Sequence, residues 1–402
     1  MLEDEILGQV ALGYSAFIDR NRAVTATRLT VFPLRSEVAL DAGQLLHAVS
    51  SVWPANGGRV SLNVTSESLL QDLLQTSPSH NLMIEVPAFM AADPQNTASI
   101  VALHAHGTTM LLKGRPLKEL PREVLPCFKQ SIIDLADDRR VATGGVAPVG
   151  VTRTIAHVLS GIHNTADMDG AFDRGAVAVL GWPIGDEVTE RPKTSRAAAT
   201  PIDLQTVVEL IRLVDAEASP DKLENTLKRD PSLGFKVLRY INSAAFGLTV
   251  EVSSFRHALM LLGYQRLKRW LALLLATASK EPNMRAAMFA SVRRGLVMEE
   301  LARNTGDAEM RGELFICGVF SLLDRLFQQP LAELLRTIPV PQRVHETLID
   351  GTGPYAPYFK LVQAIEAESL YDFLESAEAL MMGVGEINRA ELRALAAAAE
   401  LD

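Results

Sequence analysis

The protein has 402 residues, 48% of them hydrophobic, a formal net charge of −9 and two cysteines. That length fits about two to three packed domains and excludes a largely disordered chain, while the acidic balance argues against broad nucleic-acid binding. Cys127 and Cys317 lie far apart and outside any C-x-x-C pair, which argues against a disulfide framework or structural zinc site and for a reducing setting.

The amino end, MLEDEILGQV, carries acids where a secretory leader needs bases. No run approaches the roughly 18 apolar residues of a membrane span, so a cytoplasmic protein with no membrane partner is expected. Residues 1–185 then alternate short β-branched runs with helical ones. Strands are predicted at 9–18, 27–32, 59–64, 82–86, 109–112, 132–135 and 176–180. Helices are predicted at 42–52, 66–74, 94–103, 152–159 and 165–174. Such alternation predicts a parallel α/β fold, open or closed into a barrel.

Gly13 to Asn21 (GYSAFIDRN), Asn63 at a strand end, Glu85 in LMIE, the pair Ile133-Asp134 and the closing Ala171-Phe172 to Gly181-Trp182-Pro183 occur in an order that resembles an EAL domain. That family is a TIM-barrel-like phosphodiesterase for cyclic di-GMP. The resemblance implies carboxylates and an asparagine at strand ends holding two divalent cations that activate water. Aligned this way, the signature segment becomes Thr27-Arg28-Leu29, so Thr27 replaces a metal carboxylate beside the cation Arg28. The paired aspartates become His104-Ala105-His106-Gly107, Ile132-Ile133-Asp134 lacks the expected lysine, and Leu159 to His163 (LSGIH) lacks both late glutamates. Asn63 and Glu85 remain as relics, too few to hold a metal pair. His104 and His106, with His157 or His163, could bind zinc, but without a cysteine or third histidine nearby the commoner reading is ordinary solvent-facing or hydrogen-bonded histidines.

Asp186 to Ala199 is polar, contains Pro192 and lacks apolar period; it reads as a linker over 186–199. From 200 to 402 the chain reads as helix after helix. Thr200-Pro201, Ser219-Pro220 and Asp230-Pro231 each pair a capping side chain with proline at the first helical position. Leu233, Val237 and Ile241 form one apolar stripe; Gly263 divides Phe255, Leu259 and Leu262 from Leu267, Leu271, Leu274 and Leu275. Asn388 caps a closing helix expected to finish the bundle. The runs Asp230-Pro231-Ser232-Leu233, Arg239 to Ala244 (RYINSA) and Leu261-Leu262-Gly263 closely resemble the HDOD domain, an all-helical output module of bacterial signalling proteins. Within the wider HD superfamily, Ser321 and Leu322 occupy the positions of the metal-binding His-Asp pair.

Other chemistry is sparse. No phosphate loop or nucleophile elbow is present; Gly144-Gly145 and Gly383-Val384-Gly385 read as turns. Arg266, Lys268 and Arg269 beside Trp270, with Arg293-Arg294, could touch phosphate or an acidic partner, against the plainer reading of a solvated helix face. Met381-Met382 and Tyr355 to Phe359 read as core or as a docking surface. Taken together, the expectation is a two-domain, non-enzymatic signalling protein with no catalytic residue, metal or cofactor. A degenerate EAL-like α/β barrel (1–185) precedes an all-α HDOD bundle (200–402) that contacts signalling or regulatory proteins, with a homodimer open. Three alternatives stay open: a cyclic di-GMP or other nucleotide sensor using Arg28 and Asn63, a residual phosphodiesterase, and nucleic-acid binding at 266–270.

Overall fold

The structure is a computed structural model that describes residues 6–35, 37–53, 58–138, 155–186, 202–227, 255–277, 284–338 and 340–399. The chain divides into two units, one of Met1–Asp186 with Lys360–Ala396, the other of Glu187–Phe359 with Ala397–Asp402.

The first unit is built on a closed eight-stranded barrel: β1 Val10–Asp19, β2 Val24–Pro33, β3 Arg59–Val64, β4 Leu82–Pro87, β5 Thr109–Lys113, β6 Phe128–Asp134, β7 Ala156–Ile162 and β8 Ala178–Gly181. β1 runs antiparallel to both neighbours, and the other seven strands run parallel. Phe17, Ala26, Met83, Leu111, Ile132, Val158, Ala178 and Leu180, one or two from nearly every strand, pack together inside as an apolar floor. The outward alternates Leu29, Leu62 and Ile84 are fully buried as well. A strand buried on both faces reads as a continuous hydrophobic run, which is why these segments were legible as strands.

Connecting helices start where the sequence supplies caps. Asp41 accepts from the Gln44 N–H at α1 Ala42–Val52, Ser66 from Leu69 at α2 Glu67–Leu73, and Asn164 from Asp167 at Thr165–Asp173. Asp93 followed by Pro94 opens Pro94–Ala105.

One segment departs from expectation. The sequence predicts a helix over 152–159, yet Ala156–Ile162 is β7, paired parallel with β6 and β8. A short apolar run such as Ile155 to Leu159 has no period that separates a buried strand from a helix, and closure of the barrel decides it.

A second departure concerns the carboxyl end. Three helices, Ala356–Glu366, Leu370–Ala379 and Val384–Ala399, follow the HDOD-like stretch, and Lys360–Ala396 groups with the barrel and does not complete the bundle. Asn388 is not a cap: it lies inside the last helix, fully buried, where Nδ2 donates to Leu7 O and Val10 O at 2.7 Å each and Oδ1 accepts from Leu12 N–H at 3.1 Å. The physical need is plain. β1 pairs with β8 only over Phe17, Ile18 and Asp19, so the start of β1 has backbone groups facing a neighbour that is not a strand. Asn388 satisfies them, and Trp182 Nε1 donates to Tyr14 O at 3.5 Å further along. Residues 360–396 thus form a helical strap over the β1 side of the barrel.

The described elements of the second unit are helices, among them Ile202–Asp215, Pro220–Leu227, Phe255–Thr277, Arg285–Leu301 and Ala308–Phe320. The helix Phe255–Thr277 is broken at Gly263, whose φ of 72° is left-handed, at the expected place. Arg285–Leu301 and Ala308–Phe320 cross at glycine: a Cβ on Gly318 would lie 2.5 Å from the Arg294 carbonyl, and one on Gly295 would lie 2.6 Å from Val319. The stripe and motifs at 230–244 fall outside the described residues.

Candidate functional site at the barrel mouth

Above the apolar floor the lumen turns polar at the carboxyl ends of the parallel strands, where barrel enzymes place their chemistry. Arg28 on β2 reaches across β3 to Glu85 on β4, Nε to Oε1 at 2.9 Å and Nη2 to Oε2 at 2.8 Å, a bidentate pair. Ser61 Oγ, on the strand between, donates to Glu85 Oε1 at 3.0 Å. Arg28 Nη1 faces the carboxylate of Glu368, 3.3 Å away, which comes from the strap. Glu368 also accepts from Ser15 Oγ at 3.0 Å and Thr30 Oγ1 at 2.7 Å. Lys113 Nζ donates to Asn63 Oδ1 at 2.7 Å, and Asn63 Nδ2 donates to Thr30 Oγ1 at 3.0 Å. The donors therefore run in one direction from the Lys113 cation through Asn63 and Thr30 to the Glu368 anion, so each bond polarises the next.

Burial disfavours the charged guanidinium of Arg28, but the charges of Glu85 and Glu368 and the hydrogen bond to Glu85 outweigh it and hold Arg28 above its ordinary value. Burial and then the Arg28 charge push the Lys113 ammonium below its ordinary value, against the pull of both glutamates. Both Glu85 oxygens and Asn63 Oδ1 are committed to these partners. As a donor set for a pair of divalent cations, these residues do not fit, because the oxygens such ions would need already serve a guanidinium, a hydroxyl and an ammonium.

Asn63, Glu85 and Arg28, expected at the mouth, are there. Thr27 is not: Arg28 points into the lumen, and alternation turns Thr27 to the other side of β2. His104 and His106 sit at the exposed end of the helix Pro94–Ala105, not at a strand end; the inward residue ending β5 is Lys113. Among the described residues no group of three His, Cys, Asp or Glu side chains could hold a metal. Asp134 and Ser160, ending β6 and β7, share a 3.4 Å hydrogen bond on the far side of the lumen. Beside Lys113 opens a cavity of about 980 Å³ between the loops after β3, β4 and β5, edged by Arg115, Lys118 and the exposed Phe89 and Leu117.

In the second unit the expected basic cluster is not an open patch. Lys268 pairs with Asp215; Arg269 donates to Glu299 through both Nη atoms, the first at 2.7 Å, and lies 4.3 Å over the Phe315 ring. Arg293 and Arg294 are buried, and the side chains of Arg266 and Trp270 fall outside the described residues. Ser321 caps Ala308–Phe320, accepting from Arg294 Nη1 at 3.0 Å and donating to Gly318 O, while Leu322 is buried. Tyr355 is buried too, donating to Glu313 Oε2 at 2.7 Å, whereas Met381 is 93% exposed and so is not core.

Residues 201–333 match the family model of the HDOD domain. The second unit carries an HDOD domain. Curated relatives of the chain include the uncharacterized protein YuxH of Bacillus subtilis, 28% identical over 36% of each chain. The cyclic di-GMP phosphodiesterase CdgJ of Vibrio cholerae is 27% identical over 36% of this chain and 34% of its own. The matched stretch thus spans about a third of the length of these relatives. Among solved structures, the PaMucR phosphodiesterase in complex with c-di-GMP is similar to 44% of this chain over 91% of its own, with 17% identity and a TM-score of 0.32. Two residues of this mouth are not singled out by the sequence: Lys113, one position beyond the strand predicted at 109–112, and Glu368, 340 positions from Arg28.

Proposed function

We propose that this chain is a non-enzymatic bacterial signalling protein of the cytoplasm, with a degenerate EAL-like barrel and a helical HDOD output domain that acts by protein–protein contact. The observation that carries this is Arg28 fixed between Glu85 and Glu368. The register of β2 makes Arg28, not Thr27, the inward residue at the segment resembling the family signature. There a guanidinium supplies the positive charge that divalent cations would supply in an active relative. It balances buried carboxylates but cannot lower the pKa of a bound water or accept its oxygen. The HDOD half points the same way, with Ser321 and Leu322 engaged in a helix cap and the core. Kinship to a relative named for cyclic di-GMP hydrolysis supports a role in behaviour governed by that nucleotide.

A second reading, nucleotide sensing without turnover, is favoured by the cavity beside Lys113. Both are tested by titrating the full chain calorimetrically with cyclic di-GMP, with magnesium or manganese, and analysing the same cell for product. No product is expected; linear or cyclic-ring-opened product at a rate proportional to protein would overturn the reading. Heat without product would move sensing ahead of scaffolding.

A further inference from the structure

The mouth holds an anion that the chain supplies itself. Glu368 sits in the turn between Ala356–Glu366 and Leu370–Ala379 with φ of 52°, left-handed for a residue with a side chain. Its N–H bonds to Ile365 O, and that of Ser369 to Ala364 O, the closure of a helix end that ordinarily takes glycine. A glutamate there costs on the order of 1 kcal/mol or more in backbone strain. What it gains is the three donors already described: Arg28 Nη1, Ser15 Oγ and Thr30 Oγ1, two of them on one oxygen. The barrel makes room for it. A Cβ on Gly13 would lie 3.2 Å from Glu368 Cα and from Ile365 O, so a side chain there would push the turn back by a few tenths of an ångström.

A guanidinium arm and two hydroxyls converging on one carboxylate, at a site where Arg28 is 8% exposed, are the donors that recognise a tetrahedral oxyanion equally well. The Lys113–Asn63–Thr30 chain adds positive potential from the cavity side. We propose that Ser15, Arg28 and Thr30 form an oxyanion cradle whose resident is Glu368, and that a phosphoryl group takes the cradle when Glu368 leaves it. This rests on the non-hydrolytic reading of the barrel, since it needs Arg28 as a permanent cation there.

A tethered carboxylate competes at an effective concentration of millimolar order or above, so the wild-type cradle resists free phosphate. Glu368→Gly removes the competitor and suits the left-handed turn. The full chain and E368G are titrated with inorganic phosphate and pyrophosphate at constant ionic strength. E368G is expected to bind at least about tenfold more tightly than wild type. Adding Ser15→Ala or Thr30→Val to E368G is expected to weaken that binding severalfold. Equal affinity in wild type and E368G, no binding by either, or indifference to the second substitution would overturn the proposal. If E368G does not fold, Glu368→Gln, which removes the charge at constant size, is titrated under the same criteria. Failure here would leave the absence of cyclic di-GMP turnover untouched, and turnover by wild type would refute the non-hydrolytic reading whatever phosphate does.

Discussion

Asn388→Ala tests the strap where it is most exactingly bonded. The side chain serves three backbone groups of 7–12 from a fully buried position, and alanine leaves Leu7 O, Val10 O and Leu12 N–H without it. At about 1–3 kcal/mol for each buried group left unpaired, with partial relaxation, the loss is roughly 3–5 kcal/mol. For a unit of this size that corresponds to a fall of about 6–20 °C in its melting temperature. The chain has three tryptophans, of which Trp53 and Trp182 belong to the barrel and Trp270 to the HDOD helix Phe255–Thr277. In a Trp270→Phe background, fluorescence therefore reports barrel unfolding, and far-UV dichroism reports the helices of both units. The fluorescence transition is expected to move. A shift under about 2 °C, or one confined to the HDOD helices, would refute the assignment of the last helix to the barrel.

Arg28→Met is expected to cost about 3–5 kcal/mol in urea unfolding, because it strands Glu85, whose side chain is wholly buried, without its cation. Arg28→Met with Glu85→Leu should recover most of that loss, and a double variant no better than the single would break the argument. Gly318→Ala should lower the HDOD transition by a few kcal/mol without moving barrel fluorescence, since its Cβ would meet the Arg294 backbone at 2.5 Å. Burial pushes the Cys317 thiol up to about 12, against roughly 8.5 in an unfolded chain. Its contribution to stability is thus complete below about pH 8.5 and falls as pH rises towards 12. With both cysteines buried, a disulfide reagent at pH 8 should titrate neither in the native protein and both after denaturation, and rapid native labelling of Cys317 would contradict its placement.

The barrel was legible where strands run apolar on both faces, and the seven strands read from the sequence all exist. β7 was not, because Ile155 to Leu159 has no period of its own and is fixed only by the strands beside it. Asn63 and Glu85 could be found because they lie near the ends of strands, and Arg28 because it falls in the segment that resembles the family signature. Glu368 could not, since nothing local marks a glutamate in a helical turn as the partner of an arginine 340 positions earlier. Asn388 misleads for a related reason: asparagine before an alanine-rich run is a good cap, and only the side of β1 that lacks a strand neighbour at its start shows why this one lies inside the helix. The HDOD resemblance rested on contiguous words, which survive without knowledge of distant contacts, and the family match bears it out.

The strap also changes what counts as a domain boundary. The chain leaves the barrel unit after Asp186, returns to it at Lys360 and leaves it again after Ala396, so the segment Glu187–Phe359 is an insertion within the barrel unit's sequence. A ribosome making this chain exposes the start of β1 through the whole synthesis of the HDOD segment before Asn388 emerges to cover it. Any fragment cut between 186 and 199 separates β1 from its cover for good, leaving one half with a raw strand edge and the other with a buried asparagine laid open to water.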